Sequence, residues 1–276
     1  MELKTTRWVV ADQPEIATIT LSRPTRHNSW TGRMHTELRY LLERAEDDPT
    51  IRVVIITGDP TGTAFCPGAD AKALETHVER GGYDPGTPPD IATPGYGVSP
   101  AFDADFAFFF GLEVVTVAAV NGAAAGVGLA LACWCDLRVA QSGTTWTTAH
   151  GKLNLPAEYG LSWLLPRLIG HGRAADLLLS SRRFTSDEAD RLGLVTRLVD
   201  DDCIGAAYAL ATSLVRDVSP HSLRATKRQL TVDATHTDPA RSVREAQQRL
   251  DQMSTEDDYR EAIAAFVSRR PARWTG

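Results

Sequence analysis

Runs of hydrophobic residues along this chain predict strands that are each followed by a helix. The segments IRVVIITG at 51–58 and VTVAAV at 115–120 are short and almost wholly apolar, which is typical of buried strands. Each is followed by a glycine-bearing loop and then by a helical pattern, so a strand–turn–helix unit occurs twice. Residues 31–48 carry an apolar stripe at helical spacing and predict an amphipathic helix. From residue 201 onward the pattern is helical to the end.

Two segments between these elements are less regular. Residues 102–112 are strongly apolar and rich in Phe, and they predict a helix that belongs either to the core or to the wall of a substrate tunnel. Residues 77–100 are dense in Gly and Pro and predict a mobile loop. That loop is either a lid over a pocket or a tolerated insertion.

The two glycine-bearing loops are the first candidates for chemistry. They read AFCPGAD at 64–70 and NGAAAGVG at 121–128, and a helix begins directly after each. A helix start presents free backbone N–H groups at the positive end of the helix dipole. Such groups suit a bound phosphate or an oxyanion that forms during a reaction. The same pattern also fits a plain packing turn.

Composition narrows the class of protein. The chain has 276 residues and a formal net charge of −6, which disfavours a nucleic-acid-binding surface. No apolar run reaches the roughly 18 residues of a membrane span, and the N-terminal segment lacks the apolar core of a signal peptide. The four cysteines predict neither a disulfide framework nor a zinc site, because the CxC at 133–135 has no matching second pair. A cytoplasmic enzyme without a metal is expected.

Several segments together resemble the crotonase superfamily, the enoyl-CoA hydratases and isomerases. The resemblance implies an α/β spiral of repeated ββα units over residues 1–200 and a helical trimerisation segment over 201–276. It also implies a homotrimer or homohexamer that acts on an acyl-CoA thioester, with coenzyme A as part of the substrate and no separate cofactor. The matching segments are LSRPTRHNSW (21–30), AFCPGAD (64–70), VAAVNGAAAGVGLALACWCD (117–136), the stretch 161–195 and AIAAFVSRRPARW (262–274).

The resemblance assigns roles to particular positions. In this family two backbone N–H groups hold the oxygen of a thioester enolate, and the matching donors here are Ala69 and Val127. Losing one such donor costs about 3–4 kcal/mol of transition-state stabilisation. The positions that match the family's coenzyme A contacts are Arg23, Arg26, Gly68 and Gly126.

The acidic residues depart from the hydratase pattern. Hydratases of the family carry two glutamates, and the matching positions here are Ala130 and His150. Glu158 follows His150 by eight residues and matches an acid of the dienoyl-CoA isomerase branch. Glu158 is therefore the predicted acid–base residue. His150 is expected to orient Glu158, to share its proton or to act as the base itself, although a plain loop residue fits equally.

These positions leave three functions open. The leading hypothesis is a hydratase or isomerase that stabilises a thioester enolate, and isomerisation needs only one base. A C–C-bond hydrolase of a β-dicarbonyl substrate could use His150 and Glu158 to activate water. A non-catalytic acyl-CoA-binding homologue is the third, since the first glutamate is missing. Trp146 and Tyr159, which flank the acid–base positions, are expected either in the acyl pocket or in the core.

Overall fold

A computed structural model describes residues 1–80 and 92–275. The strands are β1 (Thr6–Val10), β2 (Ile16–Leu21), β3 (Val53–Gly58), β4 (Ala64–Cys66), β5 (Val115–Val120), β6 (Ala123–Ala125), β7 (Leu137–Gln141), β8 (Thr145–Thr147), β9 (Phe184–Thr185) and β10 (Arg197–Val199). The helices are α1 (Gly32–Asp47), α2 (Ala71–Arg80), α3 (Val127–Trp134), α4 (Leu161–Ile169), α5 (His171–Ser180), α6 (Ser186–Leu192), α7 (Cys203–Asp217), α8 (Pro220–Asp233), α9 (Pro239–Met253) and α10 (Asp257–Val267).

The larger sheet is the hydrophobic centre of the fold. Among the described residues it has six strands in the order β1-β2-β3-β5-β7-β10. β1 runs antiparallel to β2, and the pairs from β2 to β10 are parallel. Every residue of β3 and β5 is buried, as expected for parallel strands that are covered on both faces.

The smaller sheet positions the candidate site. Its described strands pair in the order β4-β6-β8-β9, and β4, β6 and β8 are parallel to one another. Since parallel strands end at the same edge of a sheet, the loops after β4, β6 and β8 meet at one edge. The orders β3-β4-α2 and β5-β6-α3 repeat one ββα unit, as the family resemblance implies; the residue pattern alone predicts a single strand in each unit, and β4 and β6 lie within the predicted loops.

Most of the predicted elements are confirmed, and one is wrong. The predicted helix over 31–48 is α1, whose first turn is capped by the Thr31 hydroxyl. The predicted helix over 102–112 is instead a series of turns with a 3₁₀ helix at Ala107–Phe110. Phe106 precedes it with φ of 66°, a left-handed conformation that a right-handed helix cannot contain. Four of the Phe side chains there are buried.

The predicted loop over 77–100 is only partly observable. Helix α2 continues to Arg80, so the first positions of that range are helical. Residues 81–91 lie outside the described residues, and the choice between a lid and an insertion stays open there. Residues 92–100 form turns.

The C-terminal helices leave apolar side chains on the surface. Within the part of the chain that the structure describes, α9 buries none of its side chains. Leu230 of α8 and Phe266 of α10 are 70% and 83% exposed. Over residues 1–80 and 92–275, no helix is both long and apolar enough to cross a membrane. The division of the chain near residue 200 stays a prediction.

Candidate active site

The loop after β4 packs directly against the turn that begins α3. A Cβ atom added at Gly128 would lie 2.0 Å from the carbonyl oxygen of Cys66, so only glycine fits at this crossing. A Cβ atom at Gly68 would lie 3.4 Å from the carbonyl oxygen of Ala125. The two predicted anion-binding loops are therefore neighbours in space, and they touch through their main chains.

The backbone N–H of Ala69 points away from the adjacent segment that contains Trp30. The Trp30 N–H donates to the Gly68 carbonyl at 2.8 Å, and the Asp70 N–H donates to the Trp30 carbonyl at 2.9 Å. These bonds form a parallel bridge between Trp30 and Ala69. In a parallel bridge the groups on either side of the paired residue make the bonds, so the N–H of Ala69 points in the opposite direction. Ala69 itself is exposed.

Val127 supplies the second amide at the start of the central helix. It is the first residue of α3, where N–H groups have no intrahelical acceptor. Gly126 before it has φ of 50° and ψ of −119°, a backbone conformation that favours glycine. Every residue of α3 is buried, so little water competes for a hydrogen bond at this end of the helix. Two main-chain donors on adjacent turns suit an oxyanion.

The loop after β8 brings His150 to the same edge. The Gly126 N–H donates to the Thr147 carbonyl at 3.1 Å, which ties the start of α3 to the end of β8. His150 follows three residues later and is 7% exposed. Its Nδ1 is buried, and no group among the described residues hydrogen-bonds to it. Buried polar atoms are nearly always paired, so this nitrogen is a candidate contact for a substrate or a water molecule.

Ser181 supports the His150 segment and was missed by the sequence analysis. Its hydroxyl accepts the Gly151 N–H at 3.0 Å, and its carbonyl accepts the Thr147 hydroxyl at 3.1 Å. Ser181 is buried and follows α5 with φ of 46°. Nothing in the sequence around a single serine signals this role, because the contact depends on how α5 packs.

Glu158 is half-buried, and it lies near enough to His150 to feel its charge. Burial raises the pKa of its carboxyl group, and the nearby charge of His150 lowers that pKa by a smaller amount. A carboxylate whose pKa moves toward neutrality is a more effective proton acceptor at neutral pH. Tyr159 directly after it has φ of 53°, a strained conformation of the kind that clusters at functional sites.

A cavity of about 470 Å³ is lined in part by Tyr159 and Gly160, the two residues that follow Glu158. The sequence analysis names Trp146 and Tyr159 as residues of either the acyl pocket or the core. Tyr159 lines this cavity, whereas Trp146 is fully buried in the core. Trp134, at the end of α3, donates its Nε1–H to the Tyr159 carbonyl at 2.7 Å. The larger side chains of the lining are Phe102, Phe110, Trp134, Tyr159, Trp163 and Arg167.

Ala130 is the position that the family resemblance matches to the first glutamate of a hydratase. It has no exposed surface and belongs to the main hydrophobic core. The helix that carries Val127 therefore offers no acid to the site at this position. Across residues 1–80 and 92–275, no group of three or more His, Cys, Asp and Glu side chains is arranged to hold a metal ion.

The two candidate arginines have different surroundings. Arg23 lies 2.9 Å from the Asp70 carboxylate and donates to the Ser29 carbonyl at 2.7 Å, so it fixes the loop that carries Ala69. Arg26 is exposed, and no carboxylate among the described residues lies within 4.0 Å of it. Of the two, Arg26 is the guanidinium that is available to a ligand phosphate.

Comparison with known proteins gives consistent results. A sequence model described as Enoyl-CoA hydratase/isomerase matches residues 12–276. A probable enoyl-CoA hydratase of Mycobacterium tuberculosis is 38% identical over 224 residues, which cover 79% of this chain and 74% of that protein. The 1,2-epoxyphenylacetyl-CoA isomerase of Escherichia coli is 32% identical over 263 residues, which cover 95% of both proteins.

Solved structures show the same similarity. The crystal structure of a probable enoyl-CoA hydratase/isomerase from Mycobacterium abscessus superposes with a TM-score of 0.83 at 30% identity, over 98% of both chains. That of an enoyl-CoA hydratase from Bacillus anthracis has a TM-score of 0.84 at 27% identity, over 99% of this chain and 100% of the other. Both superpositions include the C-terminal helices.

Proposed function

The chain belongs to the enoyl-CoA hydratase/isomerase family, and from that premise we propose that it moves a carbon–carbon double bond along the acyl chain of an acyl-CoA thioester. The observation that carries this proposal is the combination of two adjacent main-chain donors with one half-buried carboxylate. The donors are the amides of Ala69 and Val127, and the carboxylate is Glu158.

Each group has one task in the proposed reaction. The thioester carbonyl oxygen accepts hydrogen bonds from the amides of Ala69 and Val127, which stabilise the negative charge of the enolate. The Glu158 carboxylate removes a proton from the carbon next to the carbonyl and returns it to the far end of the allylic system. The double bond moves by one position, and no water, electron or net proton is consumed.

Because Ala130 stands at the position of the first hydratase glutamate, we rank isomerisation above hydration as the proposed reaction. Hydration needs a water molecule to be activated while a proton is delivered to carbon, which two acids do more easily than one. Isomerisation needs a single base that takes and returns one proton. The relatives are named hydratases or isomerases, and the one named 1,2-epoxyphenylacetyl-CoA isomerase aligns over 95% of both proteins, which supports the choice.

One observation favours a second candidate function. The Nδ1 of His150 is buried and has no hydrogen-bond partner among the described residues, so it could accept a proton from a water molecule, with the carboxyl group of Glu158 near enough to feel its charge. That arrangement would suit hydrolysis of a C–C bond in a β-dicarbonyl substrate. Such a reaction releases a free carboxylic acid, which an isomerase never forms.

The deciding experiment is a chromatographic assay of the purified protein with a 3-enoyl-CoA, a 2,4-dienoyl-CoA, crotonyl-CoA and a β-dicarbonyl acyl-CoA. We expect the 3-enoyl-CoA to be converted to its 2-enoyl isomer with unchanged mass. A 3-hydroxyacyl-CoA product from crotonyl-CoA at a comparable rate would instead establish a hydratase. Release of a carboxylic acid would establish the hydrolase.

The pH dependence tests the identity of the base. Because burial raises the pKa of Glu158 above its ordinary value of 4.5, the carboxylate is protonated and inactive over a wider acidic range. We expect kcat/KM to rise with pH along an acidic limb whose midpoint lies above 4.5. Since His150 lowers the pKa of Glu158, His150→Gln should move that midpoint to higher pH. A midpoint that stays fixed in this variant would contradict the electrostatic coupling of the two residues.

The coenzyme A moiety is proposed to lie along the loops before α2 and α3. Arg26 is exposed without a carboxylate partner among the residues described, and it supplies a charge for a phosphate. Gly68 and Gly126 let the main chain approach the ligand closely at the two turns. Arg23 contributes indirectly through its ion pair with Asp70.

The C-terminal helices are proposed to form the trimer interface, alone or within a hexamer. Leu230, Val243, Phe266 and Val267 are each more than two-thirds exposed, and burying them between subunits would remove apolar surface from water. We expect sedimentation velocity to show a trimer or a hexamer, and Phe266→Glu to shift it toward monomer.

A matched change elsewhere controls for the added charge. Val9 is 54% exposed on the edge strand β1, outside the C-terminal helices. Val9→Glu should leave the sedimentation coefficient unchanged. A monomeric unmodified protein would contradict the proposed assembly.

A further inference from the structure

The cavity that Tyr159 lines has five aromatic side chains in its wall, and Asp105, Arg167 and smaller residues complete the lining. The rings of Trp134 and Trp163 are parallel to within 5°, with centroids 6.2 Å apart. Phe110 stands edge-on to both, at 5.0 Å from Trp134 and 5.9 Å from Trp163. Tyr159 completes this aromatic wall, and its ring contacts Phe106 at 4.9 Å.

Hydrogen bonds and stacking hold these rings in place. Trp134 is anchored by its Nε1–H to the Tyr159 carbonyl. The guanidinium carbon of Arg167 lies 3.8 Å from the Trp163 ring centroid, and its Nη1 donates to the Trp163 carbonyl at 2.8 Å. A wall whose rings are fixed before binding loses little conformational entropy when a ligand packs against it.

The cavity lies at the far end of the helix that begins at the candidate oxyanion donor. Helix α3 runs from Val127 to Trp134, a rise of about 10 Å along its axis. Tyr159 in the aromatic wall is the residue directly after Glu158. An acyl group whose carbonyl is bound at the amide of Val127, and whose reacting carbons lie at Glu158, therefore has its remote end at the aromatic wall.

We infer that the substrate is an acyl-CoA whose acyl chain ends in an unsaturated or aromatic ring, and that this ring is bound in the aromatic cavity. This inference rests on the proposed function, because it places the thioester at Val127. The volume of about 470 Å³ exceeds the roughly 150 Å³ cavity that holds a benzene molecule, so a ring and several chain carbons fit. Aromatic pairs gain stability beyond burial alone, and a saturated chain gains only the burial.

The test compares two acyl-CoA pairs of equal carbon number. The reactive pair is 6-phenyl-3-hexenoyl-CoA and 3-dodecenoyl-CoA, in which a phenyl ring replaces the last six carbons of the alkyl chain. The unreactive pair is 6-phenylhexanoyl-CoA and dodecanoyl-CoA, whose dissociation constants are measured by calorimetry. We expect the phenyl compound to be preferred in both kcat/KM and dissociation constant.

Replacing one wall residue should weaken that preference. Trp163→Leu should lower the phenyl-to-alkyl ratio by about three- to tenfold, while Trp163→Phe, which keeps a ring, should retain most of it. Trp8→Leu is the matched control, because Trp8 is partly buried on β1 and also lies under a guanidinium, that of Arg44 at 5.2 Å. It should leave the ratio unchanged.

The outcomes separate this inference from the proposed function. Equal ratios for the unmodified protein and Trp163→Leu, or a preference for the straight chain, would overturn the ring-binding cavity even if isomerisation is observed. A phenyl preference in binding that Trp163→Leu abolishes would sustain the inference even if neither 3-enoyl-CoA is turned over. In that case it is the proposed reaction that fails.

Discussion

Glu158→Gln is expected to lower kcat/KM for 3-enoyl-CoA isomerisation by about 10²- to 10⁴-fold, the range by which a positioned acid–base group accelerates a reaction. The amide keeps the shape and the burial of the side chain but cannot accept the proton. Binding of a saturated acyl-CoA should change little, because the proposed contacts of the thioester are main-chain amides. Steady-state kinetics together with calorimetry measure both quantities.

A second glutamate provides the control for this substitution. The Glu113 side chain is 64% exposed and lies 3.8 Å from Arg228, and it precedes β5, at the opposite end of that strand from the turn that leads to α3. Glu113→Gln should leave kcat/KM within about twofold of the unmodified protein, as exposed ion pairs contribute little. If Glu158→Gln and Glu113→Gln were equally active, Glu158 would not be the base.

Val127→Pro is expected to lower kcat by about 10²- to 10³-fold, because it deletes one backbone donor from the candidate oxyanion site. At this position proline removes the N–H group with little disturbance of the helix. Val127 is the first residue of α3, where proline is tolerated because that N–H has no intrahelical acceptor. The preceding Gly126 adapts to a following proline more readily than a residue with a side chain would.

Val127→Ala distinguishes loss of the amide from loss of the side chain. It removes two methyl groups from a buried position but keeps the N–H. Its kcat should stay within about tenfold of the unmodified value, and thermal unfolding should report any cost in stability. Equal losses of activity in the two variants would argue that packing at this position matters and that the hydrogen bond does not.

The neighbouring loops at the candidate site could be predicted from sequence because their signals are local. Each loop combines a buried strand, small residues and glycine before a helix, and the family resemblance places Ala69 and Val127 at matching positions. The structure brings these loops into main-chain contact. That their amides serve a substrate stays a prediction.

Other features depend on contacts between distant parts of the chain. The Phe-rich segment is predicted as a helix because it is a long apolar run, but Phe is only a weak helix former, and Phe106 adopts a positive φ while the neighbouring rings are buried. The aromatic cavity joins residues from the segment before β5, from α3 and from α4, which no single window of sequence contains. Ser181 likewise acquires its role only when α5 is packed.

The close crossing of Gly128 over Cys66 implies that, in the proposed reaction, the backbone and the side chains have separate tasks. In the proposed mechanism the oxyanion is bound by peptide groups at this junction, where only glycine fits at position 128. The positions that we propose to decide which bond reacts, among them His150 and Glu158, lie in a different segment, after β8. New chemistry could therefore evolve here through single substitutions at such positions, without rebuilding the part of the enzyme that makes the thioester reactive.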